Sequence, residues 1–365
     1  MNESIRNSNI ADILYGSYIR YDRMYEMTKY AFYGKTDANN INIFIDCYSL
    51  LRSLYTRGSY LMIKDSYAIA SCLINLAIHL RAYFESRHNT MSKVYLIYGG
   101  SRPKEAFVNY SFYNEKNILL EDSNYPLKSL IDDNLNIMKI LCPYLYDIFC
   151  ITDMNNEFSV IASSLIDQYQ DSNPNIIYSK DPLNYQLVAF KPRTFLYRPK
   201  KRMNQSQIID DSWVVTKSSL YNAYRYGELE VKKQFETSLD IKMFSILQAI
   251  SGVKSRNLKS IKTVNNTIKI LEDAIARNIF PNGYLANAIF YTNPNPFISL
   301  FSEEIGSIIT NRFAAIDLPF QTMLYQNSVD SKEASAGVIN LYNPQEIRNI
   351  NDKYFTEYPL DLNRV

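Results

Sequence analysis

Apolar side chains recur every three or four positions at Ile10, Leu14, Tyr18, Tyr21, Tyr25 and Phe32, broken only at Thr28, and the run stops at Gly34. That period predicts an amphipathic helix over residues 10–33. Beyond it the pattern changes. Short apolar runs predict strands at 40–45, 94–98, 146–152, 175–179, 185–189 and 195–197, and helical spacing predicts helices from 48, over 66–84, over 127–141 and over 160–169. Gly99-Gly100 ends the second strand. The stretch 104–126 is polar and aromatic without a period, as expected of a mobile loop or arch. Strand and helix alternate through 40–190, which predicts an α/β fold, a mostly parallel sheet flanked by helices.

After the basic run Arg198-Pro-Lys-Lys-Arg202 the strand signals stop. Residues 212–278 read as helical, with breaks at 251–252 and 259–263, and further helices are expected at 298–309 and 344–351. The expected organisation is therefore a helical extension (1–36), an α/β domain (37–200), a helical region (201–280) and a segment packing back on the core (281–365), with 198–202 as a charged linker. The apolar stripe of 10–33 needs covering, either by the sheet or by a partner protein.

Charge narrows the picture only slightly. Lys and Arg number 39 against 37 Asp and Glu, a net charge of +2, so a polyanionic partner has to be sought in local clusters. Cys47, Cys72, Cys142 and Cys150 have no paired CxxC spacing, and with only His79 and His88 beside them a zinc site is not expected. Reduced thiols and a polar amino terminus suit a cytoplasmic protein, or a virion component, without a membrane span. The bias toward Tyr, Ile, Asn and Lys suits an AT-rich genome such as a phage's. Nucleophile-elbow and phosphate-loop motifs are absent, and Cys72 and His79 sit two turns apart in one apolar helix.

Six segments, taken in order, carry a resemblance. They are Ile43–Leu50 with Asp46, VYLIYGGSRP (94–103), YDIFCITDMNNEFSVIASSL (146–165), IIYSKDPLNYQLV (176–188), the helical stretch 240–271, and NRFAAIDL (311–318). Together they resemble the flap endonuclease and 5′-3′ exonuclease family, whose PIN-like sheet is followed by a helix-three-turn-helix that grips duplex DNA. The resemblance covers roughly residues 40–320. It implies phosphodiester hydrolysis by two divalent cations about 4 Å apart, held by carboxylates from these segments.

The departures are informative. Asp46 matches the family's first aspartate and Asp181 a later one. The F-D-G aspartate falls on Gly99. The E-A-D-D segment falls on Asn156, Glu157, Phe158 and Ser159, so all three of its acids are replaced at their own positions, and Glu157 substitutes only if the segment is one residue shorter here. A further aspartate becomes Leu183, and G-D-x-x-D-N reads Gly252-Val253-Lys254-Ser255-Arg256-Asn257. The metal-ligand candidates are thus Asp46, Asp181 and Glu157. Asp46 and Asp181 alone would leave two divalent cations under-neutralised. Asp46 then remains as a sheet-end carboxylate capping the next helix or pairing with a lysine, and Asp181 before Pro182 as a turn former.

Lys254, Arg256, Lys259, Lys262 and Lys269 put five cations into sixteen residues of the element that resembles the DNA grip. They suit phosphate contacts or a solvated helix face. Tyrosines at 110–113 suit base stacking or ordinary packing. The expected protein is a catalytically degenerate flap-endonuclease-like DNA-binding or assembly module in viral DNA replication or repair, with no resident cofactor. The alternatives are a divergent active 5′ nuclease using Mg²⁺, and a structural virion or replisome subunit that does not touch DNA.

Overall fold

The computed structural model describes residues 40–56, 66–88, 91–100, 125–169, 173–198, 201–204, 207–210, 213–226, 239–253, 258–280, 293–328, 340–357 and 359–364. The expected helix over 10–33, the loop 104–126 up to residue 124, the tyrosines at 110–113, and Lys254 and Arg256 lie outside the described residues.

Eight strands are described: β1 (Asn40–Asp46), β2 (Met91–Gly99), β3 (Ile148–Asp153), β4 (Asn175–Tyr178), β5 (Thr194–Arg198), β6 (Lys201–Asn204), β7 (Gln207–Asp210) and β8 (Trp213–Val215). Six form one sheet in the order β3-β2-β1-β4-β5-β8, with β1 to β5 parallel and β8 antiparallel to β5. The fold is α/β, a mostly parallel sheet flanked by helices. The chain lays strands outward from β1 to β3, then returns to build β4 and β5 on the other side of β1. The order therefore reverses between β1 and β4, and the carboxyl ends of those two strands open the crevice in which sheets of this kind place their chemistry.

Successive strand residues alternate between two cores, as the two-residue period of a strand requires. Phe44, Tyr95, Ile97, Phe149 and Ile177 join the core beneath the Phe158–Tyr169, Phe244–Ser251, Val264–Ala276 and Glu303–Ile316 helices. Ile43, Ile45, Val94, Leu96 and Ile176 join the opposite core, covered by Ser66–His88, Tyr125–Leu141 and Pro344–Tyr354. Phe44 stacks on Tyr95 at 5.0 Å, and Tyr95 on Phe149 at 5.4 Å, so an aromatic row ties β1, β2 and β3 together. At the other core, Asp361 N–H donates to Asn75 at 2.7 Å and Leu360 is buried, which fastens residues 359–364 against the Ser66–His88 helix.

Three expectations need correction. Residues 185–189 are not a strand but belong to the helix Tyr185–Phe190, because Asp181 caps a turn at Pro182–Asn184 that runs straight into it. A run buried on every side carries no period to separate strand from helix. Strands also continue past residue 202: β6 and β7 form a hairpin and β8 returns to pair with β5. Finally, the helix expected over 298–309 is two helices, Asn295–Ile298 and Glu303–Ile316, split where the Ser302 hydroxyl accepts Ile305 N–H at 3.3 Å.

Candidate functional site

Asp46 ends β1, 2% exposed, with the helix Cys47–Thr56 starting immediately after it. Its carboxylate is engaged on both oxygens. Oδ1 accepts Ser49 N–H at 3.0 Å, which is the bond of a helix cap. Oδ2 accepts the Ser179 hydroxyl at 2.6 Å and the Asn184 amide at 3.1 Å. Asn184 also donates to Ser179 Oγ at 2.6 Å, and Asp181 N–H donates to the same oxygen at 3.1 Å. The carboxylate thus sits in a closed ring contributed by β1, the end of β4 and the turn beyond it.

Burial dominates its titration. Loss of hydration raises the Asp46 pKa from 3.8 to about 6, partly opposed by the bonds from Ser179 and Ser49, and the neighbouring charge of Asp181 raises it further. The Asp181 side chain accepts Leu183 N–H at 2.9 Å and so caps the Pro182–Asn184 turn.

Glu157 lies beyond the carboxyl end of β3. It is buried, 4% exposed, directly before the Phe158–Tyr169 helix, whose first turn it starts by accepting Val160 N–H and Ile161 N–H on its carbonyl oxygen at 3.0 and 3.1 Å. Asp46 and Asp181 are brought together across Ser179. Among the described residues, no three His, Cys, Asp or Glu side chains are grouped to hold a metal ion. With both Asp46 oxygens bonded to fixed donors and one Asp181 oxygen capping a turn, the donor set present does not fit a pair of divalent cations.

Gly99 explains part of this. A Cβ at Gly99 would lie 2.6 Å from Phe158 N and 3.0 Å from Asn156 O, and one at Gly100 would lie 1.8 Å from Met154 O. The backbone of the β3-to-helix turn occupies the space a side chain on residue 99 would need. That turn is braced by Asp153, the last residue of β3, which accepts Asn155 N–H and the Asn156 amide at 3.0 Å each.

The second candidate element begins where the Phe244–Ser251 helix ends at Gly252, with φ +81°. Only a residue without Cβ fits there: an added carbon would meet Leu258 O at 2.3 Å. Arg312, buried on the Glu303–Ile316 helix, donates to Lys259 O at 2.8 Å, and Ile261 N–H donates to Ile250 O at 2.9 Å. The Thr263 hydroxyl then accepts Asn266 N–H at 3.4 Å and caps the helix Val264–Ala276. Lys259, Lys262 and Lys269 are exposed here, as are Ser260, Thr263, Asn265 and Asn266.

A buried amide network joins the two elements. Gln186 donates to Gln248 Oε1 at 2.7 Å and Ile316 O at 2.9 Å, and accepts Ser245 Oγ and Leu318 N–H. Gln248 in turn donates to Pro182 O at 3.2 Å, in the turn that surrounds Asp46. Ser49, Asn184, Asp153 and Gln248 carry no marker in the sequence, whereas Ser179 and Gln186 lie within the segment IIYSKDPLNYQLV that carries the resemblance, with no role assigned to either.

No protein-family model and no curated protein matches this chain. Among solved structures it is similar to T5 5′-exonuclease with zinc bound, at 13% identity over 87% of this chain and 98% of that one, with a TM-score of 0.37. A second T5 structure, co-crystallised with metal ions, has 11% identity over 87% of this chain and 98% of that one, with a TM-score of 0.42. Human GEN1 in complex with Holliday junction DNA has 11% identity over 87% of this chain and 68% of that one, with a TM-score of 0.39.

Proposed function

We propose that this chain is a flap-endonuclease-like protein that engages DNA without cutting it, serving as a binding or assembly module in viral DNA replication or repair. The observation that carries this reading is the enclosure of Asp46. The carboxylate at the position of the family's first metal ligand is 2% exposed and bonded on both oxygens to Ser49, Ser179 and Asn184. A cation would have to displace three fixed donors to reach it, and among the described residues no third acid is grouped with Asp46 and Asp181 to help hold one.

The occupied space at Gly99 supports the same reading, since a side chain there has no room without movement of the backbone at Asn156 and Phe158. Meanwhile the segment 258–263 is held by Arg312 on Lys259 O and by Ile261 N–H on Ile250 O, with Lys259, Lys262 and Lys269 exposed to solvent. Pre-ordered cations beside a capped helix start suit the phosphates of a duplex backbone. The Gln186–Gln248 network then keeps this turn in fixed relation to the sheet edge.

The reading predicts DNA binding with a steep dependence on salt, because each phosphate neutralised releases counterions. Gel-shift titrations of duplex and branched DNA across ionic strength test it. Binding that is absent, or flat in salt, would favour a structural subunit that does not touch DNA. One observation favours an active divergent nuclease built on Asp46, Asp181, Glu157 and Mg²⁺: Asp181 is near enough for its charge to raise the Asp46 pKa. Metal-dependent cleavage is the test that separates that alternative.

A further inference from the structure

We propose that Tyr67, Tyr354 and Lys353 form a stacking platform for a single-stranded nucleic-acid segment, on the opposite face of the sheet from the lysine turn. This rests on the DNA-binding reading above and extends it to a second surface.

The geometry is that of a prepared aromatic site. Tyr67, on the first turn of the Ser66–His88 helix, is 41% exposed. Its ring lies parallel to Tyr354, with centroids 5.9 Å apart and planes 8° from parallel. Phe355, fully buried, meets Tyr67 edge-on at 6.4 Å and 81°, so the exposed ring is anchored through the core. The ammonium of Lys353 sits 4.7 Å from the Tyr354 centroid and is exposed. A large ring held in place yet open to water loses little freedom when a base stacks on it, and an adjacent cation suits the phosphate beside that base.

Its position suits DNA leaving the sheet edge. Ser66 O accepts the Asn134 amide at 3.3 Å, and Asn134 bonds the Tyr98 hydroxyl. Tyr98 directly precedes Gly99, the last residue of β2, so the platform stands at the carboxyl edge that also carries Asp46. The lysine turn packs with the helices of the other core. A duplex on the lysines and a single strand crossing the edge would therefore be gripped from both faces.

The test compares a blunt duplex hairpin with the same hairpin carrying a dT tail of about 10 nucleotides. It uses the full chain, Tyr67→Leu and Lys353→Ala, both at exposed positions, with thermal unfolding confirming that each variant folds. The expected result is that the tail tightens wild-type binding by about fivefold or more. Tyr67→Leu removes that gain, Lys353→Ala reduces it, and blunt-hairpin binding is unchanged in both. A tail that adds nothing, or a Tyr67→Leu variant that keeps the gain or weakens both substrates equally, overturns the platform while leaving duplex binding intact. Absent blunt-hairpin binding combined with Tyr67-dependent binding of the tail would instead overturn the duplex reading and support the platform.

Discussion

The Ser179 hydroxyl donates to Asp46 Oδ2 at 2.6 Å, across the boundary between β4 and β1 where the strand order reverses. That bond places a buried carboxylate inside the crevice and at the same time occupies it. Its cost is visible in the titration of Asp46. Below the ordinary pKa of 3.8 the group is protonated whether folded or not and contributes nothing. As pH rises, the unfolded chain ionises first, and only above about 6 does the folded protein follow, so folding stability is lost across this window. Between pH 5 and pH 7.5 the loss attributable to Asp46 is on the order of 1 kcal/mol. Urea unfolding at the two pH values should show that decrement in the wild type and a smaller one in Asp46→Asn. Equal decrements would remove Asp46 as its source.

Gly99 admits no side chain. Gly99→Ala should destabilise the protein by about 1–3 kcal/mol, the usual cost of forcing atoms into packed space, because its Cβ would press on the backbone of Phe158 at 2.6 Å. Thermal unfolding reads this directly, and an unchanged midpoint would mean the β3-to-helix turn yields freely. By the same geometry, Gly99→Asp adds no usable metal ligand.

Gln186 serves four partners, so its replacement by Leu leaves Leu318 N–H, Ile316 O, Ser245 and Gln248 without theirs. Each buried unsatisfied group costs about 1–3 kcal/mol. Gln186→Leu should therefore unfold at a markedly lower denaturant midpoint than a surface control. A near-neutral result would show that the helices hold their place on the sheet without this network.

Lys259 and Lys262 are exposed on the turn that Arg312 and Ile250 fix. Replacing both by Ala should weaken DNA binding and lower the slope of log affinity against log salt by about 2, roughly one per phosphate contact. An unchanged slope would place the duplex elsewhere.

Long, regular elements were legible in the sequence because their periods are strong. The strand ending at Asp46, the helices on both faces and the breaks at Gly252 and before Thr263 all follow from apolar spacing and local capping. What was not legible depends on distant partners. Ser179 and Asn184 meet Asp46 from 133 and 138 positions away, and no local pattern marks that encounter. β8 is three residues long, too short to display alternation, and 185–189 is buried on all sides, so its helix was indistinguishable from a strand. The absent side chain at Gly99 could be read in the sequence, but that backbone atoms fill its place could not.

Whether this chain holds DNA without cutting it is decided by a cleavage assay. With duplex, nicked, flap and single-stranded DNA held at concentrations where the protein is bound, Mg²⁺ and Mn²⁺ are titrated and the strands are resolved on denaturing gels. Bound, intact DNA is expected at every metal concentration. Robust cleavage that EDTA stops and Asp46→Ala abolishes would contradict it.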